Sequence, residues 1–170
     1  RMALLKPVSG RMEMVLGKSR ITGPLVIVDY AHTPDALEKV LSTLRPIASQ
    51  RAGKLWCIFG CGGDRDTSKR PLMGRIASEL ADHIILTSDN PRSENPEKIS
   101  ADIRAGMSNG KSVEVILDRA AAILSGVRHA QANDVVLIAG KGHETSQEIN
   151  GRKVDFSDQE HVLLASGGSV

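Results

Sequence analysis

Asp89-Asn90-Pro91-Arg92 places a carboxylate, an amide and a guanidinium within four residues, where the apolar run Ile84 to Leu86 gives way to a polar turn. Asp89 can hold an ammonium group, Asn90 offers both a donor and an acceptor, and Arg92 presents a planar fork suited to a carboxylate or a phosphate. These are the groups needed to hold an amino acid. Pro91 fixes its own φ and pushes Asn90 out of the helical region, so the turn is stiff. A capped turn with a surface ion pair is the plainer reading of such a string taken alone. Three further polar stretches also follow apolar runs: Asp29-Tyr30-Ala31-His32, Gly60-Cys61-Gly62-Gly63-Asp64-Arg65-Asp66 and Gly140-Lys141-Gly142-His143-Glu144. Lys141 and His143 are candidate catalytic groups, because a perturbed lysine or a histidine near neutral pH can serve as a base; shaping the loop is their alternative role. His83, His129 and His161 have no motif around them and read as surface or helix-packing residues.

The elements that position these stretches alternate between strand and helix. Leu25 to Asp29, Lys54 to Phe59, Ile84 to Thr87, Val113 to Leu117 and Asp134 to Ala139 are short apolar runs of the kind buried on both faces of a parallel sheet. Between them lie helical patterns. Thr33 caps one with Pro34 at its first position, and Leu37, Val40, Leu41 and Leu44 mark its apolar face. A second starts near Ser68 and packs Met73, Ile76, Ala77 and Leu80; a third starts at Pro96 with Ile99, Ile103 and Met107; a fourth runs through Ile123, Leu124 and Val127. Arg11 to Leu16 reads as a leading strand, Gly17-Lys18-Ser19-Arg20 as its turn, and residues 1–10 as a connector. Asn150-Gly151, between Glu148-Ile149 and Arg152-Lys153-Val154, marks a hairpin expected to add an antiparallel edge, followed by a helix over 158–165 and a loose Gly-Ser terminus. The pattern predicts an α/β fold: a Rossmann-like, doubly wound, mostly parallel sheet with an antiparallel edge hairpin. Parallel strands end at the same edge, so the four polar stretches should converge on one rim.

Composition narrows the function further. The 170 residues suffice for one domain, and 41% hydrophobic with 25% charged residues is ordinary for a soluble globular protein. A formal net charge of +2, from 22 basic against 20 acidic residues spread along the chain, and 2% aromatics argue against nucleic acid. No apolar segment approaches the ~20 residues that span a bilayer, and no signal-peptide pattern opens the chain, so a cytoplasmic protein without membrane insertion is expected. Cys57 and Cys61 read as buried thiols rather than a metal site or a disulfide. There is no Walker-type phosphate loop. No Gly-x-Gly-x-x-Gly fingerprint follows the first strand of the alternation, which disfavours a stand-alone nucleotide-binding module.

Taken in order, Val28 to Leu37, Gly60 to Asp66 with Lys69-Arg70-Pro71-Leu72-Met73-Gly74, Ser88 to Arg92, and Gly140 to Glu144 closely resemble the carboxyl-terminal domain of the Mur ligases, from Gly10-Arg11-Met12-Glu13 to about Ser157. The resemblance implies one domain of an ATP-dependent amide ligase of peptidoglycan synthesis, in which an acyl phosphate on a UDP-N-acetylmuramoyl dipeptide is attacked by the amine of meso-diaminopimelate. ATP and magnesium (Mg2+) would be bound mainly by a central domain absent from this chain. Residues 1–10 would then be the connector from that domain and 11–170 the amino-acid-binding domain, able to bind but not to catalyse alone. Carried over by position, Arg65, Asp89, Asn90, Pro91, Arg92, Gly140 and Glu144 would hold the amino acid, although Arg65 could instead pair with Asp64 or Asp66. Asp29, His32 and Arg11 would face the nucleotide, with a helix-start residue as the alternative for His32. A lysine-adding Mur ligase and a folylpolyglutamate synthase-like ligase are the alternatives within the superfamily. A monomer is expected, with no metal held by this chain.

Overall fold

The computed structural model describes residues 11–15 and 22–167; the connector expected over 1–10, the turn expected over 17–20 and the last residues of the terminus, 168–170, lie outside the described residues. Among the described residues the elements run β1 (Glu13–Val15), β2 (Leu25–Asp29), α1 (Pro34–Gln50), β3 (Leu55–Phe59), α2 (Lys69–Leu80), β4 (His83–Leu86), α3 (Pro96–Arg104), β5 (Val113–Val115), α4 (Arg119–His129), β6 (Val135–Ala139), β7 (Ser146–Ile149), β8 (Arg152–Asp155) and α5 (Asp158–Ala165). Helix starts follow local chemistry. Thr33, Asn95, Asp118 and Ser157 each accept a backbone N–H from the first turn of α1, α3, α4 and α5, and Pro34 and Pro96 lie in first turns where no intrahelical donor is needed.

The main sheet has the order β1-β2-β6-β3-β4-β5, with β1 antiparallel to β2 and the other pairs parallel. Each central strand alternates its side chains between two apolar layers. Ile27, Cys57, Phe59 and Leu137 face α1, α2 and α3; Val28, Ile58, Val136 and Ile138 face the layer of α4 and α5. The connection from β2 through α1 to β3 passes over β6, and the return from β5 through α4 crosses the opposite face to insert β6 between β2 and β3. This is the doubly wound arrangement that right-handed crossovers require. Chains leaving β2 and β3 turn to one face and the chain leaving β6 leads toward α5 on the other, so the crevice opens at the carboxyl ends of these strands.

The antiparallel edge of the main sheet is β1. The tail hairpin forms where Asn150 and Gly151 both adopt positive φ (50° and 75°), but it does not extend that sheet as the sequence led us to expect. Strands β7 and β8 make a two-stranded sheet of their own, joined to the rim by a parallel bridge between Ile149 and Arg92. Strand β5 is shorter than expected. It lies at the sheet's outer edge, where Glu114 and Val115 are exposed and only β4 offers a partner.

Candidate functional site

The loops after β2, β3, β4 and β6 meet at one rim, and the group that knits two of them is Lys141. Its side chain is fully buried, with Nζ 2.8 Å from Asn90 Oδ1, 3.1 Å from the Ser146 carbonyl and 3.3 Å from both Asp89 Oδ1 and Glu144 Oε2. Asn90 Oδ1 also accepts the backbone N–H of Glu148 at 2.9 Å, and its Nδ2 reaches Glu144 Oε2 at 3.4 Å. Asp89 is buried beneath the rim rather than open to an ammonium, with its carbonyl accepting from Gln147 Nε2 at 2.7 Å. Gly140 has φ +118°, and a Cβ there would stand 2.9 Å from Asp89 Oδ2, so this position accepts no side chain. Glu144 remains partly exposed and is the carboxylate of this cluster that faces outward.

Arg92 stands beside them in the left-handed region, at φ +53°. One Nη donates to the Gly63 carbonyl at 2.9 Å, and Nε lies 3.4 Å from Glu148 Oε2. The glycines of the β3 loop serve backbone approach: a Cβ on Gly60 would meet the Thr87 carbonyl oxygen at 2.0 Å and one on Gly63 the Pro91 carbonyl oxygen at 1.9 Å. The close neighbour they admit is the β4 loop. Arg65 is exposed and donates only to the Asp64 carbonyl among the described residues, so it forms neither of the ion pairs weighed for it. Asp64 instead accepts from Ser93 N and Oγ, which hold its carboxyl below the usual range.

Two charged clusters brace this rim, and the sequence did not single them out. Arg70, buried in the first turn of α2, grips Glu94 with two hydrogen bonds (2.6 and 3.2 Å), Asp102 at 3.0 Å and the Gly62 carbonyl at 3.1 Å. Glu94 in turn accepts the Asp64 N–H at 2.7 Å, and the Arg70 hydrogen bonds pull its carboxyl below the ordinary value. Arg119, at the start of α4, meets Asp158, at the start of α5, through two 2.8 Å hydrogen bonds with both side chains fully buried. It also donates to the carbonyls of Ser88 and Ala139 at 3.1 Å, fastening the ends of β4 and β6. Burial alone would lower its pKa, yet Asp158, together with the nearby charges of Asp89 and Glu144, offsets that and raises it. The one sequence signal was proximity: Glu94 lies two residues beyond Arg92, whereas nothing local links Arg119 to Asp158.

The β2 side of the rim is distinct. Asp29 is buried, and its two oxygens accept the N–H groups of Met12 and Ala31, each at 2.7 Å, so it shapes the loop and ties in the start of β1. His32 is exposed, bonded through Nδ1 to the Tyr30 carbonyl and set edge-on against the half-exposed Tyr30 ring, with Lys69 Nζ on its carbonyl at 2.8 Å. Arg11 is exposed. His143 points away from the Lys141 cluster to Glu13, at 3.4 Å. His83 packs against Trp56 with its ring tilted, His161 stacks on Phe156, and His129 bonds its own helix at Ser125. Both cysteines are buried free thiols; burial raises Cys57 and pushes Cys61 up to about 12. Among the described residues no cluster of three or more His, Cys, Asp or Glu side chains could hold a metal, and no helix is long and apolar enough to cross a membrane.

Comparison with known proteins agrees with this architecture. The family model described as "Mur ligase, glutamate ligase domain" matches residues 10–142. The UDP-N-acetylmuramoyl-L-alanyl-D-glutamate--2,6-diaminopimelate ligase of Ralstonia nicotianae is 61% identical, over 97% of this chain and 32% of its own length. A solved structure of a ligase of the same name superposes with TM-score 0.82 at 48% identity, covering 93% of this chain and 31% of that one. The bifunctional folylpolyglutamate synthase/dihydrofolate synthase of Yersinia pestis shares the fold, with TM-score 0.58 at 22% identity over 81% of this chain and 29% of that one. The chain spans about a third of the length of the curated relatives it matches. On the family match, the identities and the shared topology, the chain belongs to the Mur ligase family, as its glutamate ligase domain.

Proposed function

We propose that this chain is the amino-acid-binding domain of an ATP-dependent ligase that adds meso-diaminopimelate to UDP-N-acetylmuramoyl-L-alanyl-D-glutamate in the cytoplasm. The observation that carries the reading is the meeting of Asn90, Arg92 and Glu144 at one rim, delivered by two separate strands and braced from below. Glu144 supplies a carboxylate for an ammonium, while Arg92 and the exposed Arg65 supply guanidinium groups for carboxylates. Gly140 and Pro91 give the rim its shape. ATP, when bound to the complete enzyme, supplies the phosphoryl group that activates the acceptor carboxyl. The exposed Tyr30–His32 pair and Lys69 suit the edge of such a nucleotide, with Asp29 fixing the loop that carries them and Arg11 beside it. The magnesium that accompanies ATP would be held mainly by the other domains of the complete enzyme.

This domain's task is to hold one end of the amino acid rigidly, so that the reacting amine meets its target as a positioned neighbour rather than by collision. Equilibrium titration of the chain with meso-diaminopimelate and with lysine tests the reading. Tighter binding of diaminopimelate is expected, together with no ATP-dependent amide formation by the chain alone. Equal binding of the two amino acids, or ligation without the remaining domains, would overturn it.

A further inference from the structure

We propose that Lys141 is a positioning residue that orients the Asn90 amide and cancels the charge of Asp89, leaving Glu144 as the anion that the rim offers to the incoming ammonium. This rests on the amino-acid-binding reading above. A charged lysine has three donors and no acceptor, so each neighbour must turn an oxygen toward it. All four groups within reach do so, at 2.8 to 3.3 Å. Asn90 Oδ1 therefore faces inward, where the Glu148 N–H also donates to it. Two donors on that oxygen fix the amide's orientation and send Nδ2 toward Glu144 and the rim.

The charges point the same way. Two carboxylates, Asp89 and Glu144, share one ammonium, which leaves one negative charge on the cluster. Asp89 is buried and Glu144 partly exposed, so the uncancelled charge is presented at Glu144. Of the other cations nearby, Arg119 is committed to Asp158 and Arg92 lies against Glu148. A proton-accepting role would need Lys141 neutral, which would strip a donor from a buried set of oxygens. It would also need contact with the substrate amine, and the Lys141 side chain is wholly covered.

The test uses the complete ligase and measures KM and kcat for diaminopimelate and lysine, with thermal melting of each variant. Both amino acids carry an ammonium at the end held here. Lys141→Met should raise KM for both by roughly 10- to 100-fold, the size expected on losing hydrogen bonds to a charged group. Saturated kcat and the ratio of kcat/KM between the two amino acids should stay as in the wild type. Asp89→Asn lets Lys141 neutralise Glu144 and should likewise raise both KM values. Adding Lys141→Met to Asp89→Asn restores one negative charge and should lower KM again, and this comparison decides the matter even if Lys141→Met alone does not fold. A fall in kcat at unchanged KM, or no recovery in the double variant, would overturn the proposal. A wild-type ligase indifferent to diaminopimelate would instead overturn the functional reading beneath it.

Discussion

Arg92 and Glu148 are joined twice: the Arg92 N–H donates to the Glu148 carbonyl at 3.0 Å, and the Arg92 guanidinium Nε lies 3.4 Å from the Glu148 carboxylate. Asn150 N–H returns a 2.8 Å bond to the Arg92 carbonyl. Arg92 needs this support, because a non-glycine residue at φ +53° persists only where its surroundings over-determine it. The tail hairpin is thus what aims the guanidinium across the rim.

Gly151 gives a way to disturb that aim without touching the rim. It has φ +75°, and a Cβ there would meet nothing within 4 Å, so Gly151→Val acts through backbone strain alone. The change should cost about 1–2 kcal/mol locally, the penalty of the left-handed region. Binding of diaminopimelate should weaken, while the melting temperature moves little because both hairpin strands lie outside the main sheet. Unchanged binding, read by titration, would show that Arg92 holds its orientation without the hairpin.

Arg119 and Asp158 bear on stability. Breaking a buried ion pair leaves one charge stranded, so Arg119→Met should cost about 3–5 kcal/mol in urea denaturation. It also strips donors from the Ser88 and Ala139 carbonyls. Arg119→Met with Asp158→Leu should recover part of the loss, since replacing both partners by apolar groups removes the stranded charge. A double variant no more stable than the single would place the cost in those two carbonyls instead.

How far the sequence was legible depended on whether the signal was local. Strands β2, β3, β4 and β6 were visible because buried parallel strands are short apolar runs, and α1 because Thr33 and Pro34 mark its start. The convergence at the rim followed from the alternation. The burial of Asp89 was not legible, because it is set by Gly140 and Lys141 on another strand's loop. Nothing in the sequence marked Arg119: its partner lies 39 residues on and no local pattern announces it. The hairpin was clear from Asn150-Gly151, but its place was not, since a turn motif says nothing about which edge receives it.

Acid should loosen the brace around Arg70. Glu94 is held below its ordinary value of 4.5 by the Arg70 hydrogen bonds and the Asp64 N–H, and Asp102 is lowered too, chiefly by Arg70. A carboxyl with a lowered folded-state pKa contributes all its stabilisation above the unfolded value and loses it as pH falls through the folded one. Stability should therefore begin to drop below about pH 4.5. Glu94→Gln should be less stable near neutrality and lose less on acidification. An acid slope identical to wild type, measured by denaturant titration at stepped pH, would remove Glu94 from the account.

Arg92 should be the main reader of the carboxylate that separates meso-diaminopimelate from lysine, since both carry an ammonium at that end and only diaminopimelate sets a carboxylate beside it. A guanidinium meets a carboxylate with two parallel, charge-assisted hydrogen bonds. When lysine binds, Arg92 keeps the Gly63 carbonyl and Glu148 as partners, so it is not left stranded and discrimination comes chiefly from what diaminopimelate gains. Removing one member of such a pair costs on the order of 2–5 kcal/mol. Arg92→Ala in the complete ligase should therefore lower kcat/KM for diaminopimelate steeply, leave lysine nearly unaffected and narrow the ratio between them. Arg92→Lys should not restore the ratio, because an ammonium cannot reproduce the fork. The two amino acids assayed side by side decide it: a selectivity ratio unmoved by Arg92→Ala would pass the reading role to the exposed Arg65 across the β3 loop.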